Sequence, residues 1–105
     1  MLVTGVSVDK KAADILNILK PRFRNIMCTA ATHKGTPATE IAEIMRRLNG
    51  HSEITIAPTV AEAMRSSIDI ARKKKQRIYV AGGLFLGVEY VYAMRGNDPR
   101  TLDFF

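Results

Sequence analysis

The chain has one cysteine, two histidines and no tryptophan among its 105 residues. A single thiol excludes a disulfide framework, and Cys28 with His33 and His51 are too few to cage a metal ion. No apolar stretch approaches the roughly 18 residues that a membrane-spanning helix requires, and no signal-peptide pattern opens the chain. A reduced, cytoplasmic setting without a membrane partner is the expectation. Both glycine fingerprints of nucleotide loops are also missing: there is no G-x-G-x-x-G and no G-x-x-x-x-G-K-[ST]. No Ser-His-Asp signature, carboxylate pair at suggestive spacing or activated-cysteine context is present. The length bounds the chain to one domain, long enough to bury a core.

Positive charge is in excess, with a formal net charge of +6. That balance favours anionic partners, whether nucleotide, polycarboxylate or nucleic acid. Part of it is local: Arg72–Arg77, "RKKKQR", closes a predicted helix, where cations meet the negative end of the dipole. It reads as a solvated helix terminus. Nucleic-acid binding would call for interleaved aromatics or a groove-reading motif, and neither is present, so no nucleic-acid partner is expected.

The apolar pattern alternates between strand and helix. "LVTGVSV" (2–8) reads as a buried strand, after which Asp9 is placed to cap a helix carrying Ala12, Ile15, Leu16 and Leu19, stopped by Pro21. "NIMCTAAT" (25–32) is the next strand. Thr36 then caps a helix with Pro37 at its first position, Ile41, Ile44, Met45 and Leu48 on one face, and Asn49-Gly50 at its end. "EITIAP" (53–58) is the third strand, and Thr59 with Glu62 forms a capping box for a helix burying Val60, Ala63, Met64, Ile68 and Ala71. "RIYVA" (77–81) is the fourth strand, and a last helix runs from Leu84 to about Arg95-Gly96. The predicted domain covers 1–96. The tail 97–105 reads as irregular, with Leu102, Phe104 and Phe105 available to dock on the core.

Four strands alternating with four helices predict an α/β fold: a Rossmann-like, mainly parallel sheet with right-handed crossovers and strands buried on both faces. Ligands of such sheets bind beyond the carboxyl ends of the strands, here 7–10, 29–35, 57–59 and 81–84. On that edge His33 and Lys34 form either an anion contact or a solvent-exposed loop. Asp9 is explained by capping, whereas Lys10 stands at a helix start, where a cation is disfavoured and a bound carboxylate or phosphate would relieve it. Gly83 and Gly87, four apart, either let the last helix approach the sheet or serve a ligand together with Gly82. A branched residue at Gly83 is expected to do more damage than Gly82→Ala. Cys28 reads as a small core residue and His51 as surface. No residue is evidently placed for acid–base chemistry.

Taken in order, the loops resemble one family. "LVTGVSVDKKAADIL", "TAATHKGTPATEIAEIM", "TVAEAM" and "YVAGGLFLGVEYV" are similar, over about 95 residues, to successive segments of the C-terminal domain of folylpolyglutamate and dihydrofolate synthases, in the Mur ligase superfamily. The Asp-Lys pair and the Leu-Phe-Leu…Glu ending favour the folate branch over the peptidoglycan branch. Three departures stand out. Gly83 occupies a position usually held by Ser, Gly87-Val88 replaces Val-Gly before the Glu, and Lys34 stands for a common Arg, keeping the charge without the bidentate fork. Family members also carry a P-loop in a separate N-terminal domain, and an Asp…His-Asn-Pro motif in an earlier strand and helix of the C-terminal domain. Against that pattern the chain is expected to be a piece of such a domain.

The resemblance implies an ATP- and magnesium-dependent amide ligation in which glutamate attacks an acyl phosphate of a folate or pteroate. The nucleotide and metal would be held mostly by the domain not represented here, with no cofactor expected for this chain alone. Asp9, Lys10, His33, Lys34, Gly82 and Gly83 are the candidates for substrate or anion binding. Two alternatives stand beside it, a stand-alone module for a nucleotide or anionic metabolite and a piece of a Mur-type peptidoglycan ligase. A weak homodimer is also expected, because a domain lacking its first strand and helix would expose apolar sheet surface.

Overall fold

The computed structural model of the chain describes residues 1–48 and 50–102. The elements alternate as β1 (Leu2–Thr4), α1 (Ala12–Leu19), β2 (Asn25–Cys28), α2 (Ala38–Arg47), β3 (Glu53–Ile56), α3 (Val60–Lys74), β4 (Tyr79–Ala81) and α4 (Leu84–Met94). The four strands form one all-parallel sheet in the order β3-β2-β1-β4, with Val3 paired to Met27 on one side and to Val80 on the other. The predicted Rossmann-like α/β class is the observed one.

The strand order dictates the layers. From β1 through β2 to β3 the chain moves in one direction, and α1 and α2 pack Leu16, Ile41, Ala42 and Met45 against Leu2, Val6, Ile26 and Cys28. After β3 the chain must return across β2 and β1 to place β4. A right-handed return puts the connection on the opposite face. There α3 and α4 supply Val60, Ala63, Leu86 and Tyr90, which pack on Val3, Met27 and Ala57. Connections therefore leave β1 and β4 toward opposite faces, and the sheet's switch point lies between these two strands.

Only the two central strands are buried throughout their apolar positions. In β3, Ile56 is exposed, and in β4, Tyr79 is exposed, because each edge strand has a neighbour on one side only. Uniformly apolar letters thus overstate burial for half the sheet. Leu84, Val88 and Val91 are also exposed, one stripe along the outer side of α4.

Two buried polar groups tie the layers. Lys20 is 3% exposed, and its Nζ donates to the carbonyls of Met45 and Leu48, satisfying the open C-terminal end of α2. Ser67 Oγ and Tyr90 Oη lie 2.7 Å apart and join α3 to α4 inside the core.

Several expected caps are corrected. Helix α1 starts at Ala12, with Lys11 rather than Asp9 at its N-cap and no side-chain bond there. Helix α2 starts at Ala38, with Pro37 as N-cap, and the Thr36 N–H donates instead to Val6 O at 2.9 Å. Thr59 does cap α3, its Oγ1 accepting from the Glu62 N–H at 3.3 Å. The competing demand is the loop–loop pairing described below, which takes the backbone that would have formed the earlier caps. In the tail, Asp98 caps a short 3-10 turn at Pro99–Thr101, and Leu102 is half-buried. The expected docking of Phe104 and Phe105, and the Asn49 helix end, fall outside the described residues.

Of the two glycines after β4, Gly82 has the less room for an added Cβ. Gly82 has φ +120°, and a Cβ there would lie 2.6 Å from Thr4 Oγ1 and 2.8 Å from Gly5 O. Gly83 is extended at φ −168°, with Gly5 O 3.3 Å from a virtual Cβ, and nothing lies within 4 Å of one at Gly87. Gly87 does not bring α4 onto the sheet. Gly82 is the constrained position, because the chain must bend around Thr4, whose Oγ1 donates to Ala81 O at 2.7 Å. Gly82→Ala should cost about 1–3 kcal/mol, from a disallowed backbone region and backbone overlap. Gly83→Ala should cost under about 1 kcal/mol, since only a small shift is needed. Chemical denaturation of both variants checks the order.

Candidate functional site

The carboxyl edge of the sheet is built from three loops that the backbone fastens together. After β1, Val8 N–H donates to Lys34 O at 2.8 Å, and Ser7 forms an antiparallel bridge with Gly35. With the Thr36–Val6 bond, this zips the β1–α1 loop to the β2–α2 loop. On the other side of β1, Gly83 borders Ser7, whose Oγ and N lie 3.8 and 4.0 Å from the position of a Gly83 Cβ. The structure thus brings the loops bearing Asp9, Lys10, His33, Lys34, Gly82 and Gly83 to one stretch of edge, centred on the switch point.

Their individual environments differ. Asp9, Lys10 and Lys34 are exposed. Lys34 has φ +54°, a left-handed conformation that a lysine rarely adopts. His33 is half-buried rather than solvent-exposed, a correction to one of the sequence alternatives. Its ring stacks on Phe85 with centroids 6.2 Å apart, and its Nδ1 lies 3.2 Å from Glu89 Oε2.

Glu89 is the residue that sequence reasoning missed as a site member. It lies on α4 one turn after Phe85 and is 0% exposed. Its Oε1 accepts from the Thr32 N–H at 2.7 Å, and its Oε2 accepts from the His33 N–H at 3.0 Å. A buried carboxylate is costly unless hydrogen-bonded, and here two loop amides and the imidazole supply the partners. The available signal was a lone acidic residue inside an otherwise apolar helix segment. The Glu89–His33 pair adds a buried carboxylate to the candidate residues of this edge.

Backbone donors accompany the lysines. Among the described residues, α3 has a side-chain cap, whereas α1, α2 and α4 start without one. Their first N–H groups have no side-chain acceptor at the cap and, with the positive ends of the helix dipoles, suit carboxylate or phosphate. Beside this edge a recess of about 520 Å³ lies between Thr32, Thr59, Arg65, Asn97 and Arg100. Arg100 is paired with Asp98 at 2.8 Å, and its hydrogen bonds hold the Asp98 carboxyl below its ordinary range. Arg65 makes no ion pair with the described residues.

Among the described residues, no group of three His, Cys, Asp or Glu side chains is arranged to hold a metal ion. The loops present neither of the glycine-rich fingerprints of nucleotide loops. Cys28 is sealed in β2, and burial pushes its thiol from the usual 9.0 up to about 11, which rules it out as a nucleophile near neutrality. One buried polar atom among the described residues, Thr29 Oγ1 just past β2, has no partner. No helix among the described residues is long and apolar enough to cross a membrane. The arrangement gathers exposed lysines and helix starts without side-chain caps at one edge of the sheet.

Comparison with protein-family models, with curated proteins and with solved structures returned no match.

Two outcomes follow from the buried groups. Cys28 ionises later in the folded chain than in the unfolded one, so stability should fall as pH climbs from 9 toward 11, and a Cys28→Ala chain should lose less over that window. Thiol labelling of the native chain at pH 8 should likewise be limited by unfolding. Thr29→Val removes an unpaired hydroxyl at constant shape and should be neutral or stabilising by up to about 1 kcal/mol in a melting experiment.

Proposed function

We propose that the chain acts as the amino-acid-substrate side of an ATP-dependent carboxylate–amine ligase, similar to the C-terminal domain of folylpolyglutamate and dihydrofolate synthases. The supporting observation is convergence: the loops within three of the four family-like segments meet at one edge, two of them zipped by the Val8–Lys34 and Ser7–Gly35 pairings. In this reading Lys10 and Lys34 attract the carboxylates of glutamate, and the uncapped starts of α1, α2 and α4 add backbone donors. The chain binds and orients; phosphoryl chemistry on a folate or pteroate carboxylate belongs to a nucleotide-binding domain. Cytoplasmic folate metabolism is the corresponding setting.

A stand-alone module for a nucleotide or anionic metabolite is the second reading, favoured by the same uncapped helices, which suit phosphate as well as carboxylate.

Titrations of the 105-residue chain with L-glutamate, ATP–magnesium and inorganic pyrophosphate, followed by amide NMR shifts, separate the two. The ligase reading expects glutamate to perturb residues 7–10 and 32–36, with no folate-dependent ADP release by the chain alone. Phosphate compounds binding while glutamate does not would favour the module. Lys10→Ala and Lys34→Ala should weaken binding while changing stability by less than about 0.5 kcal/mol, since both side chains are exposed. A several-degree fall in melting temperature with unaltered binding would make them structural instead.

A further inference from the structure

We infer that Glu89 is a positioning residue of the anion-binding edge: from behind, its buried carboxylate holds the β2–α2 loop in the shape that presents Lys34 and, through the zipped backbone, Lys10. The inference rests on the reading of this edge given above and identifies what sets its affinity.

Three observations carry it. First, the carboxylate is fully buried, and its two oxygens accept from consecutive loop amides, Thr32 at 2.7 Å and His33 at 3.0 Å. A displaced loop would leave a charge in the interior without hydrogen bonds, so the loop is held more tightly than neutral contacts would hold it. Second, the residue that follows, Lys34, keeps a left-handed backbone at φ +54°. A non-glycine residue stays there only when its surroundings over-determine it. Lys34 is fixed on both sides, by the His33 N–H to Glu89 and by its own carbonyl accepting from Val8. Third, the same loop transmits the constraint, because Gly35 and Thr36 pair with Ser7 and Val6 in the segment leading to Lys10. Glu89 reaches the edge from α4 without needing to touch a ligand itself.

A role confined to folding would alter stability and leave ligand affinity alone, and that difference is measurable. The full chain, Glu89→Gln and Lys34→Ala are titrated with L-glutamate and with inorganic pyrophosphate, while amide spectra report on Thr32 and His33. Glutamine keeps the volume but turns one acceptor into a donor that faces a loop N–H. The expected result is a folded variant with displaced Thr32 and His33 resonances and an affinity about tenfold weaker for whichever anion the wild type binds, the order of loss expected when a supporting contact is removed. Displaced resonances with an affinity within about twofold of wild type would overturn the positioning role and leave the anion edge intact. A wild-type chain that binds neither anion would overturn the edge reading and this inference together. Should Glu89→Gln fail to fold, Thr32→Pro removes one of the two loop donors while keeping the carboxylate, and the same affinity criterion applies.

Discussion

The carboxylate of Glu89, shut away from water, is the constraint around which the carboxyl edge of the sheet is organised. A charge in that position is tolerated only with strong donors around it, and the protein supplies them from a loop rather than from another helix. That choice links α4, the last element of the sheet layer, to the loop after β2, two strands away in the order β3-β2-β1-β4. The loop is held again on its far side by Val6 and Val8. A segment bound from two directions behaves as part of the scaffold, which is what a binding edge requires.

The rest of the molecule solves a different problem, closing a small parallel sheet on both faces with four helices. Reversal of chain direction after β3 forces the helices into two pairs and creates the switch point between β1 and β4. Buried polar side chains appear where backbone groups would otherwise be stranded: Lys20 under the end of α2, and Thr4 at the bend that begins with Gly82. These contacts are local and serve the fold. The Glu89 contacts join the fold to the edge.

In the proposed reading the edge receives an anion. Exposed lysines, helix starts lacking side-chain caps and the recess near Arg65 all favour a negatively charged guest. Phosphate and carboxylate share that chemistry, so either would suit the proposed site. The order of the family-like segments supplies the narrower reading as a ligase domain.

The α/β class, the four strand–helix alternations and the inner faces of α1 and α2 were legible in the letters, because apolar period and turn chemistry are local properties; on α3 the expected Ile68 is only half-buried while Ser67 is fully buried. So was the placement of candidate residues at the carboxyl edge, which follows from parallel topology alone. Capping by Asp9 and Thr36 was misread because the two loops pair with each other and draw the backbone elsewhere. The tight surroundings of Gly82 were not legible, since only the packed position of Thr4 and the Gly5 carbonyl reveals how little room a side chain would have there. Glu89 and His33 stand 56 positions apart. Sequence determined that an acidic residue lies in an apolar helix; tertiary structure alone decided its partners, because hydrogen bonds between distant segments depend on the strand order that brings them together.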